Sequence, residues 1–450
     1  MEPRSESLTG YSVSNRKIDP ARRRPTKPDG SPDDNDRIEI GPTSMAFEAW
    51  EKAGLEAPNL EIMRQNRLDR LVSEIRRHDY AGLLCFDPLN IRYATDSTNM
   101  QLWVTHNPCR ACFVSADGYM ILWDYGTCVH LSAHLPLIRE TRPGGASFFY
   151  FTSGQHVVEH ANAFAGQMED ILAEHGGGNK RLAIDRIEPE GLMALHRRGI
   201  ETFQGQEVTE LARSIKGPDE IKALRCATWS CEMAMHRMRA ETRPGMTEND
   251  LWAILHAENI RHGGEWIETR ILASGPRTNP WFQECGPRIM QEGDMVAFDT
   301  DLIGVYGMCC DISRSWICGD VEPTDEQKRI YTHAYDQVMN NIALLKPGLS
   351  FREFRETADL GPKEFHKQAY SVLAHGVGLC DEWPSLPYPD NTTRSGYDGV
   401  FEAGMVICVE SYCGVVGGRE GVKLEQQVII TEDGTDDMTS FPYEESLILG

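Results

Sequence analysis

Along the first half of the chain, apolar positions recur at helical spacing and then run together. Leu60 to His78 sets leucines and isoleucines among arginines at intervals that predict a helix, and the apolar run Tyr80-Ala-Gly-Leu-Leu-Cys-Phe86 that follows predicts a strand. Such elements alternate to about Phe203, which predicts a small α/β domain over 46–208. Lys216-Gly-Pro218 marks a boundary region, after which the spacing predicts helices over Glu220–Met238 and Glu248–Arg261 and then short strands. The expected class is therefore α+β, with the larger domain over 209–450 and with residues 1–45, bearing Pro, Ser and Asp, as an extended arm.

Acids interrupt the apolar pattern of the second half. In Asp294-Met-Val-Ala-Phe-Asp-Thr-Asp301 the apolar residues predict a strand, and its period of two puts Asp299 and Asp301 on one face. Leu302 to Cys310, with Gly304 and Gly307, supplies a reversal that leaves Asp311 on a return strand. Gly404-Met-Val-Ile-Cys-Val-Glu410 and Gly421-Val-Lys-Leu-Glu425 predict two more strands, the second presenting Glu425 on one face with Lys423 and Gln427. His375 stands in Ala374-His-Gly-Val-Gly378, where the glycines let backbone and side chain approach a ligand closely.

Any one of these acids taken alone reads as a solvated or capping residue. The set does not, because acids in apolar strands need partners. Asp299, Asp301, Asp311, His375, Glu410 and Glu425 together predict a hard, oxygen-rich site for two divalent cations, and the donor set suits iron, manganese or zinc.

Composition narrows the classes that remain. A chain of 450 residues has room for two or three domains, and its apolar runs are too short to span a bilayer. A formal net charge of −23 argues against nucleic acid as the main partner, since phosphate backbones demand basic surfaces. The first forty residues lack the apolar stretch that secretion requires, and the thirteen cysteines are an odd number scattered through apolar segments; both predict reduced thiols in a cytoplasm. Cys109-Arg-Ala-Cys112 has no second pair and reads as structural.

The ordered contexts Phe298-Asp-Thr-Asp301, Asp311-Ile-Ser-Arg314, His375-Gly-Val-Gly378, Gly404 to Glu410 and Val422-Lys-Leu-Glu425 resemble the pita-bread metallopeptidase family. That family includes methionine aminopeptidases, proline-specific aminopeptidases and creatinase. Leu211 to Ile221 is similar to the helix that opens the family's catalytic domain, and Ala81-Gly-Leu-Leu with Asn90 to Asp96 resembles its N-terminal domain. The resemblance implies a pita-bread catalytic domain behind a creatinase-like N-terminal domain, a dinuclear metal centre and a homodimer.

The chain departs from the peptidase pattern where amide chemistry needs it. Leu379-Cys-Asp-Glu-Trp-Pro384 lacks the second histidine expected after His375, and Pro276 to Glu284 lacks the earlier one expected after Ser274-Gly275. Thr300 stands where the peptidases have their first aspartate, with Asp299 and Asp301 on either side, and Ser411 follows Glu410 in place of proline. These differences resemble the dimethylsulfoniopropionate-lyase branch of the family, the DddP type. That likeness implies base-catalysed β-elimination to dimethyl sulfide and acrylate, with the substrate carboxylate on the metal, iron preferred.

The same likeness points to Asp381 as the base, its pKa expected to rise through burial near Trp383, with Glu382 as the other candidate. Tyr370 is the polar aromatic that would orient substrate or base, and otherwise a core tyrosine. A sulfonium is drawn to aromatic faces, and Trp103, Trp123, Tyr125, Trp281 and Trp383 are the pool from which a box would come. Two other functions fit the same chain: an Xaa-Pro dipeptidase or aminopeptidase P-like enzyme, and a non-enzymatic binding module.

Overall fold

The computed structural model describes residues 40–389 and 396–449. Contacts divide these into two compact units, one built on Asn59–Arg213 and the other on Gly41–Pro58 with Ser214 onward. Residues 1–39 of the expected arm lie outside the described residues, and its last two residues open the helix Ser44–Ala53.

In the N-terminal unit six strands form a mixed sheet, in the order Glu140–Pro143, Met120–Asp124, Ala111–Ser115, Gly82–Cys85, Arg181–Ile184 and Glu201–Gln204. Gly82–Cys85 pairs antiparallel with Ala111–Ser115 and parallel with Arg181–Ile184. The helix expected from Leu60 runs Leu60–Arg77, and the Asn59 side chain caps it by accepting from the amides of Glu61 and Ile62. A second helix, Val157–His175, buries Ala161, Phe164, Ala165, Met168 and Leu172 at helical spacing against Leu84, Phe113 and Trp123 of the sheet.

The C-terminal unit is antiparallel. Its main sheet has the order Asp381–Pro387, Val372–Val377, Val406–Gly414, Gly421–Ile430 and Thr435–Asp437. A smaller sheet orders Ser313–Ile317, Met295–Asp299 and Leu272–Ser274. The main sheet divides its residues by the period of two. Ile407, Val409, Val422, Leu424 and Val428 enter a core with Ile330, Tyr331, Ala334 and Val338 of the helix Asp325–Ile342. The intervening residues Cys408, Glu410, Lys423 and Glu425 are left for the opposite face.

The first acidic island differs from the expected strand. Pairing runs from Met295 to Asp299 and stops, and Asp301 takes a left-handed backbone with φ 36°. Asp311 is likewise not on a return strand but between Cys309–Cys310 and Ser313–Ile317. The ladder is broken because Thr300 replaces it: its Oγ1 donates to the carbonyl of Cys310 at 2.7 Å and accepts from the amide of Ile312 at 3.0 Å. Side-chain bonding of this kind satisfies the backbone while freeing the chain to turn Asp301 and Asp311 out of the strand alternation.

Candidate metal centre

Arg314, wholly enclosed, ties the main sheet of the C-terminal unit to the smaller sheet that carries Asp299. Its guanidinium donates to the carbonyls of Glu425 (2.6 Å) and Phe441 (2.8 Å) and to Gln426 Oε1 (2.8 Å), and it lies 4.2 Å from the Tyr443 ring centre. Five donors in a rigid fork suit such a clamp. It leaves Asp299 and Ser313 of one sheet facing Lys423 and Glu425 of the other.

The six expected ligands fall in one buried cluster. His375 Nε2 lies 3.3 Å from Asp311 Oδ2, 3.5 Å from Glu410 Oε1 and 3.3 Å from Glu425 Oε1. On the other side of the ring, Nδ1 faces the Gly376 carbonyl at 3.0 Å, so a proton held there leaves the Nε2 lone pair pointing at the acids. Asp301, Asp311 and Asp381 form a second group whose carboxylate oxygens lie within 4.8 Å of one another, so Asp311 belongs to both groups. Asp299 joins through Lys423 Nζ, at 3.2 Å, and through Ser313 Oγ, at 2.7 Å. Gly376 is required where it stands, since a Cβ there would strike the backbone oxygen of Trp383.

Lys423 is the cation inside this cluster. Its Nζ lies 2.9 Å from Glu410 Oε2, 2.8 Å from Glu425 Oε2 and 2.8 Å from Ser313 Oγ, and its side chain is fully buried. One ammonium does not balance five carboxylates. Burial pushes Asp301, Asp311 and Glu410 well above the usual carboxylate range, and neighbouring acids add to the rise. Glu425 is held below that range in spite of burial, by Lys423 first and then by His375. Burial would lower His375, but the nearby carboxylates of Asp381, Asp311 and Glu425 lift it well above the ordinary histidine value.

A pair of divalent cations fits what the side chains leave open. Asp311 Oδ1, Glu410 Oε1 and Glu425 Oε1 are buried without a hydrogen-bond partner among the described residues. With five carboxylates and the Lys423 ammonium, two divalent ions bring the buried charge to zero.

The remaining candidates divide. Tyr370 lies against the cluster, its ring centre 4.4 Å from Lys423 Nζ. Trp281 stacks on Tyr412 (5.8 Å between ring centres) and shares a cluster with Tyr370. Asp381 is not buried as expected: its side chain is 55 % exposed, with Oδ1 3.8 Å from His375 Nδ1. Glu382 is buried and committed, accepting from Lys216 Nζ at 3.1 Å and from the Leu379 amide at 2.8 Å. Trp383 packs on Phe351 and Tyr397. Trp123, Trp103 and Tyr125 belong to the N-terminal unit. Trp123 is fully enclosed in its core with Nε1 bonded to Gln167, while Trp103 and Tyr125 contact each other at 5.7 Å.

Residues 222–432 match the model of metallopeptidase family M24. Over 438 residues the chain is 53 % identical to the dimethylsulfoniopropionate lyase DddP of Roseovarius nubinhibens, covering 96 % of this chain and 98 % of the relative. This chain belongs to family M24. The dimethylsulfoniopropionate lyase DddP of Roseobacter denitrificans is 51 % identical over the same length. Among solved M24-like structures, an Xaa-Pro dipeptidase from Bacillus anthracis superposes with a TM-score of 0.67 at 23 % identity, covering 85 % of this chain and 99 % of that one. The M24 fold accounts for the expected α+β pita-bread class.

Sequence reasoning missed several M24-site neighbours. Cys408 lies two residues before Glu410 on one strand, so the period of two that placed the acid would have placed it, whereas Ser313 enters through its cross-strand pairing with Asp299, which no spacing announces. Phe282, 56 % exposed and stacked on Tyr370 at 5.1 Å, has a left-handed backbone that no pattern announces.

Proposed function

We propose that this chain is a carbon–sulfur lyase that cleaves dimethylsulfoniopropionate to dimethyl sulfide and acrylate. The observation that carries the reading is the full-length likeness to two proteins named for that activity. The site is consistent with it: the strand that starts at Asp381 offers a carboxylate near the place where a peptidase would have a histidine.

The metals, when bound, supply positive charge that holds the substrate carboxylate and stabilises the enolate-like charge beside it. Asp381 is the base: its exposed carboxylate can meet a substrate that enters from solvent, and the adjacent acids Asp301 and Asp311 mark the edge of the centre. It takes the proton from the carbon next to the substrate carboxylate. The electron pair of that C–H bond becomes the new C=C bond as the C–S bond breaks, and the sulfur departs with its pair as neutral dimethyl sulfide. Asp381 then returns its proton to water. Tyr370, Trp281 and Phe282 form the aromatic side on which the sulfonium rests. Asp299, Asp301, Asp311, His375, Glu410 and Glu425 hold a dinuclear centre, with iron as the preferred metal.

Two further assignments belong to this reading. The protein works as a homodimer, and the exposed Met100, Leu102, Tyr150 and Phe151 of the N-terminal unit are apolar surface suited to a second copy. It acts in the cytoplasm, in keeping with thirteen free cysteines. Among the described residues no helix is long and apolar enough to cross a membrane.

The test is headspace detection of dimethyl sulfide from dimethylsulfoniopropionate, run beside hydrolysis of an Xaa-Pro dipeptide. Sulfide release without dipeptide cleavage is the expected result. Dipeptide cleavage alone would return the chain to the peptidases.

A further inference from the structure

The donors around His375 are oxygen and nitrogen with one exception. Cys408 sits two residues before Glu410 on the strand Val406–Gly414, so the period of two turns both side chains to the same face. Its Cα is paired in register with that of His375 on one neighbouring strand and with Gln427 on the other. The residue is completely buried, and the sulfur lies 3.5 Å from the backbone oxygen of Asp311. The sulfur, one nitrogen of His375 and one oxygen each of Asp311 and Glu425 all lie within 4.8 Å of one another.

That spread matches the size of a coordination sphere. With bonds of about 2.0–2.3 Å, ligand atoms on opposite sides of one ion stand about 4–4.6 Å apart. A single ion among these four donors is therefore within reach of the sulfur. One of the same residues supplies the independent sign that the space is meant for a cation, since Asp311 Oδ1 is buried and accepts no hydrogen bond among the described residues.

We infer that Cys408 is a sulfur donor to the metal held by Asp311, His375 and Glu425, and that it sets which metal the centre retains. The inference rests on the metal centre and not on the reaction. A sulfur ligand favours borderline and soft ions such as iron(II), cobalt(II), zinc and cadmium, and disfavours manganese and magnesium, which the oxygen donors alone would accept. It gives this chain a reason to select iron that five carboxylates and an imidazole do not provide.

Cobalt(II) reports sulfur ligation directly, through a sulfur-to-cobalt charge-transfer absorption in the near ultraviolet. The full-length protein is stripped, reloaded with cobalt and compared with Cys408→Ser, Cys408→Ala and Cys309→Ser, each measured for bound cobalt and for its melting temperature. Cys309→Ser controls for another thiol buried near the acids. The expected result is the band in wild type and Cys309→Ser and its loss in both Cys408 variants at equal cobalt content. A competition between cadmium and manganese should show the wild-type preference for cadmium falling by about tenfold or more in Cys408→Ser.

A band that survives in the Cys408 variants, or is missing from cobalt-loaded wild type, overturns the assignment. If Cys408→Ser fails to fold, the wild-type spectrum and Cys408→Ala decide. A wild-type protein that takes up no cobalt, cadmium or manganese overturns the metal centre itself, whatever its lyase assay gives.

Discussion

Glu410 and Glu425 are paired directly across two strands, and the same ammonium, Lys423 Nζ, lies within 3 Å of an oxygen of each. Like charges set opposite one another in a sheet repel. The lysine answers half of each carboxylate and leaves Oε1 of both for the centre. Replacing it with a neutral side chain leaves buried acids without their fixed partner, a change that costs about 3–5 kcal/mol. Lys423→Met should therefore lower the melting temperature strongly in the presence of chelator and much less with metal. Equal losses in the two conditions would mean that the lysine is only a packing element.

Asp381 and Glu382 are neighbours with opposite situations. Asp381→Asn should keep its metal content and lose activity by about two to four orders of magnitude, the range of a general base. Glu382→Gln should keep most of its activity and lose stability instead, because its carboxylate holds Lys216 and the Leu379 amide. Metal analysis and dimethyl sulfide release on both variants decide; an active, metal-replete Asp381→Asn removes the base assignment.

The aromatic candidates separate by what each ring touches. Phe282→Ala exposes one face of Tyr370 and should raise KM by about two- to thirtyfold, the equivalent of ~0.5–2 kcal/mol for a cation on an aromatic face. Trp123→Ala should instead cost about 3–5 kcal/mol of stability, since its ring is enclosed in the N-terminal core. Steady-state kinetics and thermal melts on the pair test the division. An unchanged KM in Phe282→Ala would take the sulfonium elsewhere.

Acid groups raised by burial give the metal-free protein an unusual response to pH. Asp301, Asp311 and Glu410 lie above their unfolded values, so the stability they contribute is complete at low pH and is lost as pH climbs through the folded values. Glu425 lies below its unfolded value and works in the other direction, but it is one group against these three and Asp299, which burial also raises. Chelated protein should therefore melt at lower temperature as pH rises from about 5 to about 8. Saturating metal should flatten or reverse the trend, because cations displace the protons. A chelated protein that gains stability over that range would contradict the account.

Strand periodicity made much of the centre readable from the chain. The faces of Glu410, Lys423 and Glu425 follow from alternation alone, whereas the glycine after His375, read as room for a ligand, makes room for the Trp383 carbonyl of the neighbouring strand. Alternation failed at Asp301 and Asp311, where Thr300 trades ladder bonds for a side-chain bridge that no periodicity encodes. It also could not tell Asp381 from Glu382. Adjacent residues of a strand point to opposite sides, and which side is buried depends on Lys216, a residue far away in sequence. The aromatic pool was legible only as a list, because ring contacts are set by tertiary packing.

Asp301 holds a backbone conformation that a β-carbon resists, at a cost of about 1–3 kcal/mol, while Thr269 pins its carboxylate at 2.6 Å. Glycine or asparagine would sit there more comfortably. Selection for heat resistance alone, with no demand for turnover, should therefore favour Asp301→Gly or Asp301→Asn and discard the carboxylate in doing so. At this one residue, durability and chemistry make opposite demands on the gene, and a library screened for both should leave it untouched.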